Sequence, residues 1–168
     1  MNTKAKHYIE KLQLKLHPEG GWFREVYRAD ETISSDHLPK RYGSARCFST
    51  SIYFLLEGVQ FSSFHKLKSD EQWHFYDGSP VIIYSINETG ILETIKLGNN
   101  LADGEMFQTV IKRNTWFAAE IADKNSFALI GCTVAPGFEF DDFELAKRNE
   151  LLKLYPKFKH IISKLTKT

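Results

Sequence analysis

Apolar and polar residues alternate along most of the chain in short runs, and glycine, asparagine, aspartate and serine separate the runs. Between Phe48 and Val134 there are eight runs, each of a length typical of a β-strand. They cover 48–57, 60–67, 71–77, 80–87, 91–97, 106–112, 115–121 and 127–134. No segment between them is long enough for the crossover helix that a parallel sheet needs. The pattern predicts an antiparallel β-sandwich or barrel.

Both ends of the chain show the longer period of a helix. Apolar side chains recur at helical spacing over about 3–16, which predicts an amphipathic helix with Asn2 or Thr3 as its N-cap. The segment of about 142–165 predicts two short C-terminal helices, interrupted by Pro156.

The remaining elements complete a single predicted domain. Trp22–Arg28 alternates as a strand does, so the β-barrel is expected over about 22–134. The polar segment 29–46 predicts a long loop. Since no linker, repeat or low-complexity stretch divides the sequence, we expect one all-β domain with terminal helices.

Composition excludes several classes of protein. The 168 residues include 22 Lys and Arg against 21 Asp and Glu, spread along the chain, so a dedicated nucleic-acid binder is not expected. No apolar run reaches the ~20 residues that span a bilayer, and the N-terminal segment lacks the apolar core of a signal peptide. Two cysteines without CxxC spacing are too few for a disulfide framework. These features indicate a soluble, cytoplasmic protein.

The residues that indicate chemistry lie in the second and third runs. If these runs form a hairpin, alternation places Ser63, His65 and Leu67 on one face of the first strand and Glu71 and Trp73 on one face of the second. His65 and Glu71 would then meet across the hairpin in an aromatic pocket. An imidazole beside a carboxylate suits proton abstraction or metal binding, although a structural pair that holds the hairpin together is the alternative.

This region resembles the first motif of the cupins, in which a glycine precedes two histidines, a glutamate and a second glycine. His65 and Glu71 occupy the first histidine and the glutamate positions, and Gly78 is the second glycine. Leu67 stands at the second histidine position, and Phe117 stands where a second motif would supply a fourth metal ligand.

Further segments resemble the Cupin_5-type branch, which is similar to dTDP-sugar epimerases and seed-storage cupins. They are 17–25, 50–56, 64–71, 73–75 and 131–144. The resemblance implies a double-stranded β-helix, the cupin jelly-roll barrel, and a homodimer. It also implies that the barrel binds a small molecule, such as a nucleotide-sugar or another sugar-like compound.

With two of the four ligand positions lost, we expect no tightly bound metal or other cofactor. If a divalent metal binds, its ligands would be His65, Glu71 and His74. Alternation sends His74 to the opposite face unless a bulge intervenes, so the alternative for His74 is a surface or dimer contact.

The candidate ligand-binding residues are Arg24, Ser51, Ser63, Trp73, His74, Trp116 and Phe117. Alternation places Arg24 and Arg28 on one face of their strand and Glu25 and Tyr27 on the other. An arginine beside a barrel mouth could bind phosphate or carboxylate, and a solvated arginine is the alternative. The aromatic residues could stack on a ligand or simply form core.

Three functions agree with these residues. The first is an isomerase or epimerase acting on a sugar-like or keto compound, with His65 as general base and Tyr53 or Tyr76 as candidates for the acid. The second is a non-catalytic small-molecule binding protein. The third is a metal-dependent cupin enzyme such as a dioxygenase, which Leu67 and Phe117 disfavour.

Overall fold

The computed structural model describes residues 2–167 and, within them, three α-helices and thirteen β-strands. The helices are α1 (Thr3–Lys11), α2 (Arg148–Leu154) and α3 (Lys159–Lys164). The strands are β1 (Lys15–Leu16), β2 (Trp22–Arg28), β3 (Thr32–Ile33), β4 (Arg46–Cys47), β5 (Thr50–Glu57), β6 (Phe61–Leu67), β7 (Glu71–Gly78), β8 (Val81–Ile86), β9 (Leu92–Leu97), β10 (Gln108–Ile111), β11 (Trp116–Ile121), β12 (Phe127–Val134) and β13 (Phe143–Leu145).

Two antiparallel sheets form the barrel. The six-stranded sheet has the order β1-β2-β5-β12-β7-β10, and the five-stranded sheet has the order β13-β6-β11-β8-β9. The strands β3 and β4 form a separate two-stranded sheet. All eight predicted runs are strands, and the jelly-roll fold is confirmed.

Alternation along the strands builds the main core between the sheets. Phe54, Trp73, Ile83, Phe117 and Ile130, for example, are each at most 1% exposed and belong to one cluster. A second cluster lies on the outer face of the five-stranded sheet, where the C-terminal helices cover it. The helix α1 covers part of the other sheet through a third cluster. The terminal helices therefore shield two outer sheet faces that would otherwise expose apolar side chains.

The predicted helix bounds were wrong at two places. The helix α1 begins with Asn2 as its N-cap but ends at Lys11, because Gln13 adopts a left-handed backbone with φ 55° and the chain then enters β1. The segment 143–145, expected to be helical, is instead the edge strand β13, which pairs with β6. Tertiary pairing overrides local helix preference in both segments.

The predicted loop over 29–46 also contains regular structure. It includes the short strand β3 and a 3-10 helix over Ser35–His37, and its last residue begins β4. No helix among residues 2–167 is long and apolar enough to cross a membrane.

Candidate active site

A cavity lies at one end of the barrel, between the two sheets and the segment that follows β12. The cavity has a volume of about 100 Å³. Its walls are mostly apolar, with five phenylalanines: Phe23, Phe54, Phe138, Phe140 and Phe143. Its ionisable side chains are His17, Glu19, Glu25, Arg28, His65, Glu71, Cys132 and Glu139.

Glu19 reaches the cavity from a tight turn between β1 and β2. The turn closes through hydrogen bonds between His17 and the two glycines that follow Glu19. Gly20 has φ 120°, and a Cβ there would lie 2.1 Å from the carbonyl oxygen of Phe61. Only glycine lets the turn approach β6 so closely. The carboxyl of Glu19 is thereby brought against the side chains of β6.

The side chain of Glu19 joins two side chains of β6. Ser62 Oγ donates to Glu19 Oε1 at 2.9 Å, and His65 Nε2 lies 3.2 Å from Glu19 Oε2. The backbone carbonyl of Glu19 also accepts from the N–H of Ser63 at 2.9 Å. Both carboxyl oxygens are therefore held in place. Burial raises the pKa of Glu19 above its usual range.

Both ring nitrogens of His65 have partners. Nδ1 lies 2.8 Å from the carbonyl oxygen of Ser63, which can only accept, so Nδ1 carries a proton and Nε2 faces Glu19. The ring packs on Phe117 with 4.1 Å between centroids. Burial lowers the pKa of His65, although the nearby Glu71 raises it in part. Burial therefore disfavours the charged form of each group in this contact.

His17 forms the outer side of this turn. Its Nδ1 lies 3.3 Å from the backbone N of Glu19 and therefore accepts that N–H, which requires Nδ1 to be unprotonated. Burial lowers the pKa of His17, in agreement with a neutral ring.

Glu71 lines the cavity from the first position of β7. The residue is 8% exposed, and its Oε2 has no hydrogen-bond partner among residues 2–167. Burial raises the pKa of Glu71 to about 7, while the nearby His65 lowers it and Glu19 raises it. The carboxyl is thus divided between its two protonation states near neutral pH, which is the condition for efficient proton transfer.

The predicted hairpin between His65 and Glu71 is wrong. The strands β6 and β7 are consecutive in the chain, but they lie in different sheets and do not pair. His65 and Glu71 therefore line the same cavity from opposite walls. Glu19, and not Glu71, lies against His65 Nε2, and Glu71 Oε2 has no hydrogen-bond partner within residues 2–167.

A bulge in β6 turns Ser62, rather than the expected Ser63, toward Glu19. In the pairing with β11, His65 lies opposite Phe117 and Ser62 lies opposite Ala119, so β6 has an additional residue there. The bulge places the Ser62 hydroxyl on Glu19, whereas the buried Ser63 Oγ has no partner in the described chain. Ser63 contributes to the site through its backbone alone.

A second bulge, in β2, changes which arginine reaches the cavity. The register between β2 and β5 shifts between Glu25 and Tyr27. As a result Glu25 and Arg28, which alternation placed on opposite faces, both line the cavity. Arg24 is not among the lining residues, and its guanidinium donates to the carbonyl of Leu12 at 3.1 Å.

The other predicted ligand-binding residues lie away from the cavity. His74 is on the outer face of its sheet, where Nε2 is 3.5 Å from Thr133 Oγ1, and Ser51 does not line the cavity either. Trp73 and Phe117 are core residues that contact each other edge to face. Trp116 packs in the outer cluster, beneath the ammonium of Lys66. The candidate acids Tyr53 and Tyr76 contact each other outside the cavity lining.

The residues present do not fit the metal site found in many cupins. Leu67 and Phe117 supply no donor, and His65 already uses both nitrogens within the protein. His74 lies on the other side of the sheet from Glu71. Within residues 2–167 there is no group of three or more His, Cys, Asp or Glu side chains arranged to hold a metal ion.

Sequence reasoning missed Glu19 and the aromatic wall formed by Phe138, Phe140 and Phe143. Glu19 lies in a turn, where no periodicity assigns a direction to its side chain. The only available signal was the resemblance of segments 17–25 and 131–144 to the cupin branch, which marks positions but gives no contacts.

Comparison with known proteins agrees with this architecture. The Cupin_5 family model, described as Cupin superfamily (DUF985), matches residues 6–146. The uncharacterized protein YML079W of Saccharomyces cerevisiae is 30% identical over 164 aligned positions, which cover 90% of this chain and 79% of that protein.

Solved structures show the same similarity. Protein SO0799 from Shewanella oneidensis superposes with a TM-score of 0.88 at 38% identity, covering 97% of each chain. A hypothetical protein from Leishmania major gives 0.87 at 28% identity, covering 98% of this chain and 99% of that one. Oxalate decarboxylase from Bacillus subtilis shares the fold alone, with a TM-score of 0.55 at 14% identity over 89% of this chain and 36% of that enzyme. The chain therefore belongs to the Cupin_5 family of the cupin superfamily.

Proposed function

We propose that this cupin binds a small carbonyl compound in its barrel and catalyses proton transfer at the carbon beside the carbonyl, as an isomerase or epimerase does. The observation that carries the proposal is the carboxyl of Glu71. It is buried, its Oε2 lacks a protein partner in the described chain, and its pKa of about 7 lets it give or take a proton at neutral pH.

The contact between Glu19 and His65, on the wall opposite Glu71, supports the second half of the reaction, which is protonation of the carbonyl oxygen. Removal of a proton from carbon moves an electron pair onto the carbonyl oxygen, and that oxygen needs a hydrogen-bond or proton donor. Glu19 Oε2 lies 3.2 Å from His65 Nε2, and burial raises the pKa of Glu19, which favours the protonated carboxyl that could act as this donor. Transfer of that proton to the ligand oxygen breaks the Glu19–His65 hydrogen bond, because Nε2 and the resulting carboxylate are then both acceptors.

The reaction balances without an external reagent. The Glu71 carboxylate takes the proton as the carbon–hydrogen bond breaks, and the electron pair forms an enolate whose oxygen receives the proton of Glu19. Return of the proton from Glu71 to carbon on another face or at the neighbouring carbon, with reprotonation of Glu19, gives the isomer. In this proposal Glu71 takes the role of base that the sequence suggested for His65, and His65 positions Glu19.

A second candidate function is binding without turnover. Its support is that both nitrogens of His65 are engaged by the protein. The pair of Glu19 and His65 would then orient a carbonyl or hydroxyl group without releasing a proton.

Solvent exchange distinguishes the two functions. The protein is incubated in D₂O with phenylacetone, dihydroxyacetone or D-fructose, and NMR follows both cavity binding and loss of the hydrogens beside the carbonyl. We expect the wild type to accelerate exchange of at least one compound, and Glu71→Gln to slow that exchange by at least about 100-fold.

His74→Asn is the matched control, and His65→Asn is a second test of the site. His74→Asn, on the outer sheet face, should exchange as the wild type does, whereas His65→Asn should lose most of the acceleration. Equal exchange in the wild type and in Glu71→Gln contradicts catalysis. Binding in the cavity without any exchange supports the binding protein instead.

A further inference from the structure

The cavity opening is bounded by an ion-pair cluster of Glu25, Arg28 and Glu139. We infer that this cluster makes the site selective for ligands without negative charge, so that phosphate esters and carboxylates are excluded and an uncharged carbonyl compound is the ligand class. The inference rests on the cavity of the proposed function and specifies the chemistry that enters it.

Arg28 has no donor left for an anionic ligand. Its Nε and Nη2 donate to the two carboxyl oxygens of Glu25 at 3.1 and 2.9 Å. Its Nη1 donates to Glu139 Oε1 at 2.6 Å and to Cys47 Sγ at 3.7 Å, and Nη2 also donates to the carbonyl of Phe138 at 3.2 Å. These contacts account for all five N–H groups of a guanidinium. The fork that normally recognises phosphate or carboxylate is therefore occupied by the protein's own carboxylates.

The charged side chains that line the cavity also disfavour a negatively charged ligand. Its lining contains four carboxyl groups, those of Glu19, Glu25, Glu71 and Glu139, and Arg28 is the one Lys or Arg side chain in the lining within residues 2–167. Lys167 lies behind the turn, where its ammonium bonds the carbonyl of Pro18 at 2.5 Å. An anion entering the cavity would lose water and meet negative charge without gaining a free cationic partner.

The interior offers the groups that an uncharged carbonyl ligand uses. Glu71 Oε2 lacks a partner within the described residues, and Glu19 Oε2 lies 3.2 Å from His65 Nε2. The rings of Phe138, Phe140 and Phe143, whose centroids are 5.1–6.3 Å apart, provide apolar contact at the opening. A small ketone with an apolar or ring substituent matches both features.

Phenylacetone and phenylpyruvate form a matched pair of probes, since they differ in whether a methyl or a carboxylate is attached to the same carbonyl. Binding is measured by NMR titration of cavity resonances in the wild type, in Glu25→Gln/Glu139→Gln and in the control Glu144→Gln. Glu144 pairs with Lys66 and does not line the cavity.

We expect wild-type protein and Glu144→Gln to bind phenylacetone at least about tenfold more tightly than phenylpyruvate. The double variant removes the two negative charges that Arg28 balances, so phenylpyruvate should gain about fivefold or more in affinity while phenylacetone changes little. Dihydroxyacetone and its phosphate should show the same order.

Three results would overturn the inference. If wild-type protein binds phenylpyruvate as tightly as phenylacetone, the cluster does not select against charge, and the proton-transfer proposal remains intact. If neither probe perturbs the cavity in any of the three proteins, the inference fails together with the proposed site. If phenylpyruvate is the better ligand and hydrogen exchange is lost in Glu71→Gln, the selectivity is refuted and the proton-transfer proposal stands.

Discussion

His65 Nε2 lies 3.2 Å from Glu19 Oε2, and this contact joins a residue of β6 to the turn between β1 and β2. The carboxyl is also fixed by Ser62, at 2.9 Å. Because His65 thereby has two protein partners, we propose that Glu71, on the opposite sheet, is the group that contacts the ligand. Its Oε2 has no hydrogen-bond partner within residues 2–167.

Replacement of Glu71 should change the pH dependence of stability. The folded-state pKa of about 7 exceeds the ordinary value of 4.5, so the folded protein binds the additional proton, and its stability falls as the pH rises through 7. The ionised form costs about 3 kcal/mol at pH 8. Thermal melting should show Glu71→Gln more stable than wild type at pH 8 and equal to it near pH 4. A difference of the same size at both pH values would show that the effect is not ionisation.

Removal of the Glu19 carboxyl should have separable effects on stability and activity. Glu19→Ala leaves the buried Nε2 of His65 and the Ser62 hydroxyl without their partner, at a cost of about 1–3 kcal/mol. Glu19→Gln keeps the shape and hydrogen-bonding capacity, so chemical denaturation should show near wild-type stability, while D₂O exchange of a bound ketone is lost. If Glu19→Gln exchanges at the wild-type rate, Glu19 is structural only.

The buried pair of Arg46 and Asp142 should hold the aromatic segment of the opening in place. Arg46 Nε and Nη2 bond the two oxygens of Asp142 at 2.6 and 2.7 Å, and both side chains are at most 3% exposed. Arg46→Met leaves a buried carboxylate with only Lys68 nearby, at 3.4 Å, and should cost about 3 kcal/mol in urea unfolding. Arg46→Met/Asp142→Leu should recover most of that loss. Additive losses in the double variant would contradict the pairing.

A third donor is expected to raise the affinity of the cavity for a metal ion. Glu71 supplies one donor, His65 Nε2 would supply a second if it left Glu19, and Leu67 lines the same cavity. After incubation with Co²⁺ and dialysis, Leu67→His should retain more metal than wild type or the control Leu67→Asn, with the visible absorption of protein-bound cobalt. Retention of about one ion per chain by the wild type would contradict the donor set described above.

Much of the fold could be predicted from the sequence because alternation is a local property. All eight strand runs were identified, and alternation correctly turned Glu71, Trp73 and Phe75 inward. The arrangement of strands in a jelly roll is not local, and so the neighbours β6 and β7 were wrongly paired. The bulges in β2 and β6 shift alternation by one residue, so alternation placed Arg28 on the opposite face from Glu25 and turned Ser63 rather than Ser62 toward the site. The position of Glu19 depends on its turn, and no pattern in the sequence specified that contact.

The most direct test of the account is a ¹³C NMR titration of glutamate side-chain carboxyls, with the Glu71 resonance assigned by its loss in Glu71→Gln. The account predicts that this carboxyl titrates with a pKa of about 7 in the free protein. Since burial is the largest cause of the raised pKa, and His65 lowers it while Glu19 raises it, the pKa of Glu71 should stay well above 4.5 in His65→Phe/Glu19→Gln. A Glu71 carboxyl that titrates near its ordinary value of 4.5 in the wild type would contradict the proton-transfer role on which the proposed function rests.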